Sequence, residues 1–198
     1  MMFRWCALVV VIGCIGTSGY YRRRARREGG TIARGRESLG LKLGRSLVSL
    51  PLFGGVIAYL INPDWMAWSS LALPSWARWT GVALGASTIP AAQWVFRSIG
   101  KNVSETVLTK DRHDLVSVGP YRWIRHPLYA TGIALFWSIG LMAASWFILL
   151  FALIATVLIR LVVIPLEERE LLRKFGDHYA RYMRRTGRLL PGLRTGAG

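Results

Sequence analysis

Residues 128–164 read LYATGIALFWSIGLMAASWFILLFALIATVLIRLVVI, and Arg160 is their only charge. Crossing a bilayer as a helix takes about 20 mostly apolar residues, so this run is long enough for two passes. It divides into Leu128–Ala144 and Trp146–Ile164 with almost nothing between them. The two passes are therefore expected to form a tight antiparallel hairpin.

Three more candidate spans precede the hairpin: Phe3–Tyr20, a short Leu47–Ile61 containing Pro51 and Gly54-Gly55, and Trp76–Phe96, interrupted by Pro90. The expected fold is all-α and integral to the membrane, with about five transmembrane helices and a C-terminal cytoplasmic, interfacial helical tail. Residues 1–96 would carry three helices and a basic loop, 22–45. Residues 97–198 would carry a polar loop, the hairpin and the tail, all in one integrated domain. Phe3 to Gly19 could pass for a secretory signal, but the heavy charge (Arg22, Arg23, Arg24, Arg26, Arg27) follows the apolar stretch instead of preceding it. That order predicts a retained span with its N-terminus outside.

Bulk composition agrees. The chain is 53% hydrophobic yet carries a formal net charge of +16, and its mean hydropathy is +0.34. A soluble core seldom combines these, and a nucleic-acid binder would not carry such long uncharged runs, so membrane lipids are expected partners and nucleic acid is not. Nothing in the pattern sets an oligomeric state. Nine Trp suit a chain with two membrane–water interfaces. Cys6 and Cys14 are eight residues apart in one apolar helix, ~12 Å at the helical rise, too far for a disulfide.

Charge placement tests the topology separately. Segments 22–45, 97–127 and 160–198 hold nine, six and nine Lys/Arg, which is 24 of the chain's 26. Only Arg4 and Arg78 fall on the other side. Basic loops collect on the cytoplasmic side, so the loop before span four and the tail after span five should both lie there. Because these spans form a hairpin, the two segments should be neighbours.

Those segments carry the unusual residues. The first runs Gly119-Pro120-Tyr121-Arg122-Trp123-Ile124-Arg125-His126-Pro127-Leu128-Tyr129, with His113-Asp114-Leu115-Val116 just upstream. Gly-Pro favours a turn, Pro127 suits the first turn of a helix, and the two tyrosines could wall a flat heterocycle. The second is Glu167-Glu168, a carboxylate pair able to hold a cationic group such as a sulfonium or ammonium at the membrane surface, where ionisable groups are costly to keep. Beyond it Leu171, Phe175 and Tyr179 form an apolar stripe, Gly176 is expected to break the helix, and Gly192 to Gly198 read as a mobile end. His113, His126 and His178 match no metal-ligand spacing.

The pattern His113-x-Leu115-Val116-x-x-Gly119-x-Tyr121-x-x-x-Arg125-His126-Pro127-x-Tyr129, followed by Glu167-Glu168-x-x-Leu171-x-x-x-Phe175-Gly176-x-x-Tyr179-x-x-Tyr182, resembles the isoprenylcysteine carboxyl methyltransferase family, and more loosely the phospholipid N-methyltransferases. It spans roughly residues 100–191. The resemblance implies S-adenosyl-L-methionine as cofactor, bound between the last two spans and the tail by His113, Asp114, Leu115, Val116, Tyr121, His126, Pro127, Leu128, Tyr129 and Glu167. It implies a lipophilic or prenylated acceptor and a small prokaryotic form of the enzyme in a bacterial or archaeal plasma membrane. The family's substrate-orienting arginine falls at Val163 here, so Arg160, about one turn away, is the expected substitute. A carboxylate acceptor needs no base, whereas an amine would have to lose a proton, with Glu168 or His126 as candidate recipients. Two other readings remain. One is a sterol-reductase-like nicotinamide enzyme, which shares an Arg-His-Pro string but would want an arginine cluster for a 2′-phosphate. The other is a non-catalytic lipid-binding protein using the 22–45 loop, which leaves the paired motifs unexplained.

Overall fold

In the computed structural model the described residues are 1–29, 39–99 and 115–192. They form seven α-helices: α1 (Met2–Gly29), α2 (Leu39–Ile61), α3 (Ser75–Ile99), α4 (Pro127–Ala143), α5 (Trp146–Leu158), α6 (Ile164–Phe175) and α7 (Asp177–Arg185). Short 3-10 turns occupy Pro63–Ser69 and Gly119–Arg122. His113, Asp114 and the last six residues lie outside the described residues.

Each of the five expected spans falls on a helix, but the helices are not equivalent. Met2–Ala25, Leu43–Ile61 and Trp146–Phe175 are long and apolar enough to cross a membrane. Helix α4 is apolar but has 17 residues, about 25 Å at 1.5 Å per residue, short of a ~30 Å hydrocarbon core. Helix α3 has the length, and Pro90 sits inside it without ending it, while Arg78, Thr80, Ser87, Thr88 and Gln93 dilute its apolar character.

The expected hairpin is present. Ala144, in the left-handed region at φ 50°, ends α4, and Ser145 caps α5 by accepting from the Ile148 amide. Ser145 also shares a 2.7 Å hydrogen bond with Ser69. Helix α5 then continues through a π-helical turn, Ile159–Val163, directly into α6. Pro165 explains the wide turn. It has no N–H for the Leu161 carbonyl, and its ring would clash with that group in a regular helix. From Trp146 to Glu167 the rod rises about 32 Å, about the thickness of a bilayer's hydrocarbon core.

Helices α3 and α4 pack closely along a seam of small residues. A Cβ placed on Gly81 would lie 2.8 Å from Leu141 Cβ and 2.9 Å from the Ser138 carbonyl oxygen. Dispersion contacts between closely approaching backbones take over where apolar burial offers no gain in lipid. Ile139, Met142, Ile148 and Ala152, with Leu52 and Val56, form the core between α2, α4 and α5.

The two ends of the bundle differ. At one end Arg4 donates to the Leu60 and Ile61 carbonyls, 2.9 and 2.7 Å, and Arg78 donates to the Met142 carbonyl, 3.1 and 2.7 Å. The two arginines that the charge count leaves on the outer side thus satisfy the last carbonyls of α2 and α4, the groups a helix leaves open. Trp5, Trp65, Trp68, Trp76, Trp79 and Trp146 ring this end, all exposed, as an interfacial belt does. The opposite end gathers the loop 115–126, the start of α4, and α6–α7.

Candidate functional site

The site forms where the loop before α4 meets α6 and α7. Gly119 adopts φ +60°, and a Cβ there would sit 2.1 Å from Ser98 Oγ, so only glycine lets the loop settle on the end of α3. The 3-10 turn that follows buries Pro120 and Tyr121. Tyr182 from α7 donates to the Tyr121 carbonyl at 2.6 Å, tying loop to tail. His126 caps α4, with Pro127 in the first turn.

The last described stretch closes over this loop. Ile124 and Gly187 form an isolated parallel bridge. The Arg125 amide donates to the Gly187 carbonyl at 2.8 Å, His126 to Arg188 at 3.0 Å, and Gly187 to Trp123 at 3.0 Å. Gly187 itself turns so sharply that a Cβ would lie 1.8 Å from the Leu190 carbonyl oxygen.

Inside this clasp sits a dense charge cluster. Consecutive helix residues point about 100° apart, so the two glutamates do different things. Glu168 is buried, with Arg125 Nε 2.8 Å from Oε1 and Arg188 Nη2 3.1 Å from Oε2. Arg125 also donates through Nη1 to the Met183 and Thr186 carbonyls at the end of α7. Glu167 faces the other way. Its Oε2 lies 3.7 Å from His126 Nδ1, and the Tyr129 side chain is within hydrogen-bonding reach. His126 Nε2 stands 3.5 Å from Glu168 Oε1, too far for a firm bond. Around them, burial and then Glu167 push the Tyr121 hydroxyl well up. Burial does the same to Tyr179, with Glu168 next, and raises Tyr182 to about 12. These phenols stay protonated, as donors, throughout the neutral range.

Three buried polar atoms here have no hydrogen-bond partner among the described residues: His126 Nε2, Glu167 Oε2 and Tyr179 OH. They come from the head of α4, from α6 and from α7. Such atoms are rare in folded chains because each costs about 1–3 kcal/mol. Three together, on a carboxylate, an imidazole and a phenol, are what a polar ligand would complete.

Of the residues expected at the site, Tyr121, His126, Tyr129, Glu167 and Glu168 converge. Pro127 is buried beside them, and Leu115 and Val116 are half-buried at the loop's start. Leu128 turns away, packing on Ala25, Ala92 and Phe96. Glu168 is held between two guanidinium groups, which leaves it poorly placed to accept a substrate proton. Arg160 is exposed on the π-helical turn, and Val163 is buried. Arg125, Tyr179 and Arg188 belong to the cluster although the sequence assigned them no role. Arg125 and Tyr179 stood in the motif, whereas nothing in the local pattern marked Arg188.

The family model described as phospholipid methyltransferase matches residues 76–178, more than half the chain. Methanethiol S-methyltransferase 1 of Bradyrhizobium diazoefficiens is 43% identical over 75 residues, 38% of this chain and 25% of that protein. The Mycobacterium tuberculosis methanethiol S-methyltransferase is 45% identical over 71 residues, 36% and 28% of the two chains. The matched stretch thus spans little more than a quarter of these relatives' length. A solved structure of the eukaryotic intramembrane Ras methyltransferase, isoprenylcysteine carboxyl methyltransferase, superposes with a TM-score of 0.53 at 17% identity, covering 94% of this chain and 67% of that one. The likeness extends to the N-terminal helices, so the integral-membrane fold is shared over nearly the whole chain. By the reach of the family match, this chain belongs to the phospholipid methyltransferase family.

Proposed function

We propose that this protein is a membrane methyltransferase that takes its methyl group from S-adenosylmethionine and delivers it to a lipophilic acceptor bearing an anionic nucleophile. The observation that carries the reading is the trio of buried atoms with no hydrogen-bond partner among the described residues, His126 Nε2, Glu167 Oε2 and Tyr179 OH. Both sequence motifs supply them, in a family of methyltransferases. The residues present suit the cofactor. Glu167 offers a carboxylate to a cationic or hydroxyl-rich ligand, Tyr179 a hydroxyl donor, His126 a ring nitrogen, and Tyr121 and Tyr129 aromatic walls. His113 and Asp114, also proposed as cofactor contacts, lie outside the described residues.

When bound, S-adenosylmethionine supplies a methyl carbon on a positively charged sulfur; an acceptor lone pair forms the new bond as the carbon–sulfur bond breaks. The chain's part is to bind, orient and exclude water. Glu167, His126 and Tyr179 fix the polar ligand, and the burial of His126 and Tyr179 beside it keeps water from competing for the charge. Glu168 is occupied by Arg125 and Arg188, and His126 and Glu167 are assigned to the cofactor in this reading, so none of the three is left over to act as a base. That favours an acceptor arriving as thiolate or carboxylate over an amine that must first lose a proton. Relatives named methanethiol S-methyltransferase fit a thiolate, and the fold neighbour's name fits a carboxylate. Arg160, exposed near the exit of α5, is proposed to meet the acceptor's anionic end. The site is taken to face the cytoplasm on a five-pass bundle, with α6 and α7 at the interface and the acceptor entering from the bilayer.

The test is to incubate detergent-purified protein with labelled S-adenosylmethionine and, separately, an alkanethiol, a prenylcysteine analogue and phosphatidylethanolamine. Label on the thiol or the carboxylate supports the reading. Label on the amine alone rejects the anionic acceptor, and no label on any of them, nor on a membrane lipid extract, rejects methyl transfer.

A further inference from the structure

Arg188 is not among the proposed cofactor contacts. It lies in the coil beyond α7, its side chain is 47% exposed, and it nonetheless reaches a carboxylate that is 4% exposed. Three backbone hydrogen bonds hold it there, linking Trp123, Arg125 and His126 to Gly187 and Arg188. Surface arginines are seldom held this firmly, and an exposed ion pair alone would not repay the ordering.

The geometry of Glu168 shows what the arrangement achieves. Its Oε1 takes the 2.8 Å bond from Arg125 and its Oε2 the 3.1 Å contact from Arg188. With both oxygens engaged, Oε1 stays 3.5 Å from His126 Nε2, an ion-pair distance too long for a firm hydrogen bond, and among the described residues that buried nitrogen has no hydrogen-bond partner. Removing Arg188 frees Oε2. The carboxylate can then rotate so that one oxygen keeps Arg125 while the other closes on His126. His126 would gain a permanent internal partner and lose its opening toward a ligand.

We propose that Arg188 is a positioning residue: it anchors Glu168 from the tail side and so keeps His126 Nε2 open to the cofactor. This rests on the proposed cofactor site for its meaning, but its structural core can be read in the ligand-free protein. Because Arg188 is half exposed, its loss leaves no isolated charge of its own in the interior, and R188Q and R188K should fold; should E168Q, which strands the buried Arg125, fail to fold, the His126 resonance in R188Q against R188K still decides.

The test is a double-mutant cycle over R188Q, E168Q and the pair, with R188K as the conservative partner. S-adenosylhomocysteine affinity is read by calorimetry in detergent, and the ring 15N shifts of His126 are read without ligand. R188Q should weaken binding roughly tenfold and R188K less than about threefold, while R188Q added to E168Q should cost less than about twofold more, because residues acting through one another are not additive. In ligand-free protein R188Q should move the His126 Nε2 resonance and R188K should not. Additive losses, or an unmoved His126 resonance in R188Q, overturn the proposal. If the wild type binds no S-adenosylhomocysteine, the cofactor reading fails, and the His126 resonance alone still decides the role of Arg188.

Discussion

Arginine does different work at the two ends of this bundle. At the tryptophan-ringed end, Arg4 and Arg78 each donate to carbonyls that a helix terminus leaves open, and Arg78 also lies 4.0 Å above the Phe3 ring. At the opposite end Arg125 and Arg188 hold a buried carboxylate, and beside them three buried polar atoms have no hydrogen-bond partner among the described residues. Where arginines close the accounts of the backbone, they are architecture. Where the polar groups around them stay incomplete, the fold is keeping something open for a ligand, since unsatisfied buried groups persist only when the surroundings enforce them.

Substitutions at the two ends should therefore differ in what they cost. The largest effect belongs to Arg125→Ala, which strands Glu168 in the interior and releases α7. It should cost ~3–5 kcal/mol of stability, read as a large drop in the detergent melting temperature. A melting temperature close to wild type would place Arg125 with the surface charges. Next comes His126→Ala, expected to weaken S-adenosylhomocysteine binding by ~2 kcal/mol, roughly 30-fold, without loss of membrane insertion. Affinity equal to wild type would remove the imidazole from the site. Arg78→Ala should cost ~1–2 kcal/mol of stability through its lost carbonyl bonds while cofactor affinity stays unchanged; a coupled loss of binding would erase the distinction between the ends. The smallest effect is Tyr179→Phe. It should weaken ligand binding by ~1 kcal/mol and leave the melting temperature level or slightly higher, because it removes an unpaired buried hydroxyl. A clear fall in stability would mean that the hydroxyl already has a partner.

The same contrast explains what could be read from the residues alone. The hairpin, the helical identity of all five apolar segments and the meeting of the two motifs were legible, because hydropathy and charge placement are properties of local stretches. Gly176 was legible as a helix break for the same reason, and it adopts φ +51° between α6 and α7. The joining of α5 to α6 was not, since Pro165 reads as a stop and only a π-helical turn lets the rod pass it. Nor was the division of labour between Glu167 and Glu168. It depends on which neighbour each meets across the fold, and Arg188 arrives twenty residues later through a backbone clasp that no periodicity announces. The short α4 and the diluted α3 mark a further limit: their places in the bundle come from packing on neighbours such as Gly81 against Leu141, not from span-like composition.

The most direct measurement is calorimetric titration of S-adenosylhomocysteine into the detergent-purified wild type and Glu167→Gln. One unpartnered carboxylate oxygen joining the two motifs around a single ligand predicts measurable binding in the wild type. It predicts at least roughly tenfold weaker binding in the variant, at an unchanged melting temperature. Equal affinity in both proteins would contradict a shared ligand between the loop and the tail.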